Sequence, residues 1–189
     1  MSTPTPQLAP KYWIWENAIS KEMCEKLIAE HFDAEKSEEG SYAAGEIYST
    51  GEKRKTNVCW AQQETYLGMK LFNHILMANR SAGWNYDIFN TEKIQVGQYG
   101  EGGHYDWHAD WDPFQKDGTG TQRKLSVSLF LSDPADYEGG DFKFRGDEVG
   151  KRSQGTIVVF PSFVEHIVEP VTKGVRYSAV TWARGPDFR

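Results

Sequence analysis

Arg176-Tyr177-Ser178-Ala179-Val180-Thr181-Trp182-Ala183 reads as two interleaved sets of side chains. Alternate residues of an extended strand point to opposite sides, so Arg176, Ser178, Val180 and Trp182 share one face, while Tyr177, Ala179 and Thr181 share the other. The same period of two runs back to Trp84, interrupted by Gly, Asp or Pro turns at intervals of roughly a dozen residues. Candidate strands are 84–88, 93–99, 104–110, 124–131, 141–144, 156–160 and 166–170, with 176–183 the last. Short strands in such a series predict a double-sheet jelly roll.

Upstream the period changes. Residues 1–10 are rich in Pro, Ser and Thr and read as a loose tail, and Tyr12 to Trp15 as a short strand. Ser20 caps a helix over 21–32, whose Met23, Leu27, Ile28 and Phe32 recur at helical spacing. A second helix spans 64–80, with Leu67, Leu71, Phe72, Ile75 and Leu76 as its apolar stripe and Ser81-Ala82-Gly83 as its stop. Asp33 to Lys55 is polar and reads as a flap with a strand at Tyr42 to Tyr48; Asp112 to Gln122 is a second flap. The expectation is a single domain over 1–189, mainly β (α+β): a jelly-roll core over 84–184 buttressed by N-terminal helices.

The chain's 189 residues, 39% hydrophobic and 25% charged, suit one core. A net charge of −6 argues against nucleic acid as the main partner. The sequence shows neither a long apolar run nor the basic-then-apolar start of a secretory signal, so no membrane association and a cytoplasmic setting are expected. Cys24 and Cys59 have no spacing partners and read as buried thiols. Seven Trp and 18 Gly fit a turn-rich sheet fold with an aromatic-lined cavity.

His108-Ala109-Asp110 places an imidazole and a carboxylate on one face of a strand, and His166 opens a later strand after Ile157-Val158-Val159-Phe160-Pro161. Two His and one carboxylate form a facial triad that leaves coordination positions open, the arrangement of non-haem Fe(II) oxygenases. By spacing alone, His-x-Asp also suits a surface strand. Arg176, ten residues after His166 and two before Ser178, needs an anion if it is buried in a barrel; a carboxylate fits its planar fork, and a structural ion pair is the other reading. His104 and Asp106 share the face of His108 only in a regular strand, and Gly102-Gly103 favours a bulge there. Trp107, Trp111 and Phe114 are candidates for a substrate groove, with Arg123 and Lys124 near its mouth. His31 and His74 read as surface or packing residues, and Lys53-Arg54-Lys55 as a solvated turn.

The ordered set His108, Asp110, His166, Arg176 and Ser178 resembles the Fe(II)- and 2-oxoglutarate-dependent dioxygenases. The flanks narrow the resemblance to the prolyl-4-hydroxylase-like branch: Gln98-Tyr99-Gly100, His104-Tyr105-Asp106-Trp107-His108, Lys124 to Leu131, Tyr137-Glu138-Gly139-Gly140-Asp141 and Gly155-Thr156 before Phe160-Pro161. The resemblance covers residues 93–184 and extends more loosely over the helices. It implies a double-stranded β-helix in which His108, Asp110 and His166 bind Fe(II). It also implies that 2-oxoglutarate chelates the iron, with its distal carboxylate on Arg176 and Ser178, that Tyr99 bonds this co-substrate and that Trp182 lines the pocket. The implied reaction hydroxylates a C–H bond with O2 and yields succinate and CO2. A peptidyl residue, proline first, is the leading substrate, a free amino acid or small metabolite the alternative, and ascorbate a further candidate cofactor.

Two departures stand out. Animal and algal prolyl hydroxylases commonly use Lys where Arg176 stands and carry Tyr where Phe130 stands. Leu129 to Gly140 is also similar to the bacterial PKHD-type hydroxylases. Nucleobase demethylases resemble one another in a second arginine six residues after the first, where this chain has Trp182. A zinc hydrolase built on the same three donors leaves Arg176 unexplained. From outside the enzymes, a non-catalytic β-barrel module binding metal or carboxylate is the rival reading.

Overall fold

The computed structural model describes residues 9–40, 53–111, 120–150 and 152–187. In chain order the elements are β1 (Trp13–Trp15), α1 (Lys21–His31), β2 (Glu38–Glu39), β3 (Arg54–Lys55), β4 (Asn57–Ala61) and α2 (Tyr66–Ser81), then β5 (Asn90–Thr91), β6 (Ile94–Tyr99), β7 (His104–His108) and β8 (Thr121–Phe130). The chain continues with β9 (Tyr137–Gly139), β10 (Phe142–Phe144), β11 (Asp147–Gly150), β12 (Ile157–Pro161), β13 (His166–Val168), β14 (Val171–Gly174) and β15 (Arg176–Pro186). The fold is mainly β, a double-stranded β-helix. Its major sheet has the order β1-β12-β8-β15-β6-β4-β2, with β5 alongside β15, and its minor sheet the order β11-β10-β13-β7-β3. Strands β14 and β9 form a separate two-stranded ribbon, and every pairing is antiparallel.

The alternation in β8 and β15 creates two cores. Leu125, Val127 and Leu129 of β8, with Ala179 and Ala183 of β15, pack beneath Leu27 of α1 and Leu67, Leu71 and Ile75 of α2. Each fully buried Leu or Ile contributes about 1.5–3 kcal/mol by leaving water. The opposite faces of the same strands turn inward, where Phe130 joins Tyr99, Tyr137, Phe142, Phe144 and Phe160 in a second cluster. The helices therefore brace the outer face of the major sheet and leave its inner face to the site. Ser20 caps α1 by accepting from the Met23 amide at 3.3 Å, as the sequence predicts, and Thr65 does the same for α2 through Gly68.

Several expectations need correction. Residues 84–88 form no strand: the Asn79 side chain bonds both the amide and the carbonyl of Tyr86, at 2.9 and 2.8 Å, in place of a ladder partner. Their alternating Trp84, Tyr86 and Ile88 pack on the helical core instead. Leu76, counted in the apolar stripe of α2, is 42% exposed. Within the first flap, Arg54–Lys55 is a strand paired to β7, while Tyr42 to Tyr48 lies outside the described residues. So do residues 112–119 of the second flap, Phe114 among them; Thr121 and Gln122 already belong to β8. Strands β2, β4, β5, β9, β11 and β14 go beyond the sequence reading. Cys24 and Cys59 are free and buried.

Candidate metal and co-substrate site

His108 ends β7 and His166 opens β13, and the two residues face each other directly across the antiparallel ladder. Asp110 follows two residues after His108, and its amide and that of Trp111 both donate to the Ser162 carbonyl, at 2.9 and 3.0 Å. The loop that carries His166 thus also pins the backbone of Asp110. The result is a compact cluster whose candidate donor atoms all lie within 4.8 Å of one another. Asp110 Oδ1 is 3.7 Å from His108 Nε2, and Asp110 Oδ2 is 3.6 Å from His166 Nε2.

Each imidazole is oriented from behind. His108 Nδ1 lies 2.7 Å from the Asp106 carbonyl and His166 Nδ1 lies 3.1 Å from that of Val164. A carbonyl only accepts, so both Nδ1 atoms carry a proton, and both Nε2 atoms face the carboxylate. Burial, with His166 adding repulsion, pushes the His108 imidazole down to about 3, so the ring is neutral and able to bind metal. Burial alone raises the Asp110 carboxyl, but the two imidazoles, Arg123 and the Ser126 hydroxyl outweigh it and hold the group below its ordinary range. Two imidazole nitrogens and one carboxylate in facial array suit Fe(II) and leave positions open for further ligands.

The partly open cavity at the triad, about 40 Å³, is lined by Tyr99, Ser126, Ser128, Phe160, Arg176, Ser178 and Trp182 among others. Arg176 is 1% exposed, the largest of the fully buried side chains. Its Nη1 donates to Ser178 Oγ at 3.3 Å, whereas Nε and Nη2 have no hydrogen-bond partner. Among the described residues no carboxylate pairs with it. A buried cation with two unpartnered nitrogens, in the same cavity as the His-Asp-His cluster, fits a bound carboxylate, which meets both the charge and the fork. The structural ion pair considered from sequence is absent there.

The predicted His108, Asp110, His166, Tyr99, Arg176, Ser178 and Trp182 thus all border one cavity. His104 and Asp106 do not join the cluster: His104 Nδ1 turns to the Gly102 carbonyl, and Asp106 caps the Trp107 amide. A register shift in β7 sets Tyr105, rather than Asp106, opposite Val168. Tyr105 consequently stacks on His108 with ring centroids 3.5 Å apart. Trp107 packs under the Arg145 guanidinium.

Sequence reasoning missed Arg54 altogether. It is no solvated turn: it is buried, borders the cavity, donates to Gln95 Oε1 at 2.6 Å and lies 4.5 Å over the Tyr105 ring. The available signal was a period of two through Arg54, Thr56 and Val58, all buried, obscured because two of the three are polar. Arg123 is likewise more than a residue near the mouth. Glu92 grips it bidentately at 2.8 and 2.7 Å, and its guanidinium lies 3.8 Å over the Trp182 ring. Lys124, by contrast, is buried within β8.

Together these features define a jelly roll with a buried facial triad and an anion-ready arginine. Residues 94–184 match the model of the 2OG-Fe(II) oxygenase superfamily, and this part of the chain belongs to that family. Similar curated proteins include a PKHD-type hydroxylase of Synechococcus sp. (strain CC9902), 39% identical over 98 residues, covering 50% of this chain and 42% of that protein. Another, from Pseudomonas putida (strain W619), is 38% identical over 91 residues, covering 46% and 40%. The chain therefore matches less than half the length of these relatives.

Among solved structures, the viral collagen prolyl hydroxylase of Paramecium Bursaria Chlorella virus-1, in its 2OG complex, superposes with a TM-score of 0.71 at 21% identity, covering 93% of this chain and 97% of that one. A Pseudomonas putida prolyl-4-hydroxylase gives 0.68 at 20% identity, covering 94% of each. These likenesses establish the shared fold.

Tyr99 permits a modest prediction. It is buried and borders the cavity, and Arg176 Cζ lies 5.2 Å from its ring. Tyr99→Phe is expected to weaken 2-oxoglutarate binding by roughly 2- to 10-fold, the worth of one hydrogen bond. Anaerobic titration checks this, and an unchanged dissociation constant would reduce Tyr99 to a packing residue.

Proposed function

We propose that the chain is an Fe(II)- and 2-oxoglutarate-dependent hydroxylase acting on a peptidyl residue, proline first. The observation that carries this reading is the placement of Arg176, with two unpartnered nitrogens, in the same cavity as the His108, Asp110, His166 cluster. His108, Asp110 and His166 would hold the iron; Arg176, Ser178 and Tyr99 would hold the co-substrate. Bound there, iron and 2-oxoglutarate supply oxidation of a C–H bond by O2, with succinate and CO2 released.

The protein's own contribution is placement and exclusion of water. The buried Phe142 and Phe160 wall the cavity, and Trp182, held by Arg123 and Glu92, forms a further side. Similarity to proteins named PKHD-type hydroxylases supports hydroxylation, and the shared fold with proteins named prolyl hydroxylases supports proline as the first residue to test.

The test is anaerobic loading with Fe(II) and 2-oxoglutarate, then oxygen, with succinate followed by NMR with and without a proline-rich peptide. Succinate that rises with the peptide, together with hydroxylated peptide by mass spectrometry, supports the proposal. Slow succinate formation indifferent to peptide would move the substrate to a free amino acid or metabolite. Absence of 2-oxoglutarate binding would leave a metal-binding module.

A further inference from the structure

We infer that Tyr105 is a positioning residue for the metal ligand His108, and that Arg54 braces Tyr105 in that role. The inference rests on the assignment of His108 to the metal and deepens it. The two imidazoles of the cluster are held in different ways. His166 sits among phenylalanines in tilted or edge contact, with the Phe160 and Phe142 centroids at 4.7 and 5.5 Å and interplanar angles of 64° and 40°. His108 has instead a ring laid flat on it: Tyr105, 12° from parallel at 3.5 Å. The hydrogen bond from His108 Nδ1 to the Asp106 carbonyl, 2.7 Å, fixes one edge of the imidazole and leaves its tilt free. The flat contact fixes the tilt, and with it the direction of Nε2.

Arg54 pairs with Tyr105 across β3 and β7, and its Cζ lies 4.5 Å over the same phenol ring. The guanidinium is itself fixed. Its Nη2 donates to Gln95 Oε1 at 2.6 Å, and Gly40 packs against it without a side chain, since a Cβ there would fall 2.7 Å from Nε. Electron-rich rings prefer offset or edge-to-face contact to a full parallel overlap. A guanidinium over the phenol draws on the electron density of that ring and eases the repulsion. An imidazole that shares its Nε2 lone pair with a metal is electron-poor, so the parallel stack suits the loaded ring best. Arg54 and Tyr105 thus hold the metal-free imidazole in the arrangement that the loaded one favours.

The test uses Co(II)-loaded protein without 2-oxoglutarate. NMR follows the two shifted, exchangeable Nδ1–H signals that the ligand imidazoles give, assigned in the wild type by Overhauser contacts to Tyr105 for His108 and to Phe160 for His166. Calorimetry gives the Co(II) affinity, and a melt of the metal-free protein reports folding. Tyr105→Leu is expected to shift or broaden the His108 signal, leave that of His166 in place and weaken Co(II) binding about tenfold, the lower end for removing a group that orients a ligand. Tyr105→Phe keeps the ring and should stay within twofold of wild type with both signals in place. Arg54→Met should move the His108 signal alone and weaken binding roughly 2- to 5-fold, the worth of one cation–π contact.

An unmoved His108 signal in Tyr105→Leu, or equal movement of both signals, would overturn the role of Tyr105. A loss in Tyr105→Phe as large as in Tyr105→Leu would do the same, because it assigns the effect to the hydroxyl. An unmoved His108 signal in Arg54→Met would remove the brace and, if Tyr105→Leu does not fold, the whole inference. Absence of shifted N–H signals in the Co(II)-loaded wild type would instead remove the assignment of His108 to the metal, and this inference with it.

Discussion

Replacing Asp110 with alanine is expected to lower divalent-metal affinity at least ~100-fold. Removing a group that merely orients a ligand already costs about 10- to 100-fold, and Asp110 is placed to be a ligand itself. It is also the only carboxylate of the cluster, set between two imidazoles whose ring centroids are 4.1 Å apart. Without it the site offers a dication two nitrogens and no charge. The fold should tolerate the change, because the Asp110 and Trp111 amides bond Ser162 through the backbone. Anaerobic calorimetric titration with Fe(II) or Co(II), beside a thermal melt of the metal-free variant, measures both quantities. An Asp110→Ala protein that binds metal within threefold of wild type would place the metal elsewhere.

What the sequence disclosed follows from where its patterns come from. Alternation was legible in β8 and β15 because each strand has one face against the helices and the other against the cavity, so Leu125, Val127 and Leu129 interleave with Ser126, Ser128 and Phe130. The triad was legible because His-x-Asp lies on contiguous residues, and His166 directly follows a buried strand and its short loop.

The same logic failed where one pattern had another cause. Residues 84–88 alternate because aromatic rings pack on a helix, and Asn79 replaces the missing ladder. The register shift in β7 exchanges Asp106 for Tyr105 at the cavity, and no spacing rule states which residue is skipped. Arg54 and the Glu92 clamp on Arg123 join segments distant in sequence. Such contacts arise from strand pairing, and their residue types alone suggest solvent.

Arg176→Met is expected to separate folding from co-substrate binding. In the protein alone, the guanidinium is buried with Nε and Nη2 unpartnered, a costly state that an apolar side chain of similar length removes. Replacing a buried charge by a well-packed apolar group is often neutral or stabilising. The variant without ligand should therefore melt no lower than wild type. With 2-oxoglutarate present the sign reverses. A carboxylate seated on the wild-type fork is left buried and unmatched in the variant, at a cost of about 3–5 kcal/mol for breaking such a pair from one side. At 1.4 kcal/mol per decade, that weakens binding by roughly 100- to 1,000-fold or more. Ligand-induced stabilisation grows with the ratio of ligand concentration to dissociation constant, so a 2-oxoglutarate concentration that raises the wild-type Tm should leave that of Arg176→Met unmoved. Two melting series, each with and without 2-oxoglutarate under metal-loaded anaerobic conditions, are sufficient. An equal upward shift in both proteins would show that the distal carboxylate binds away from Arg176, and would leave the burial of that cation without a ligand to explain it.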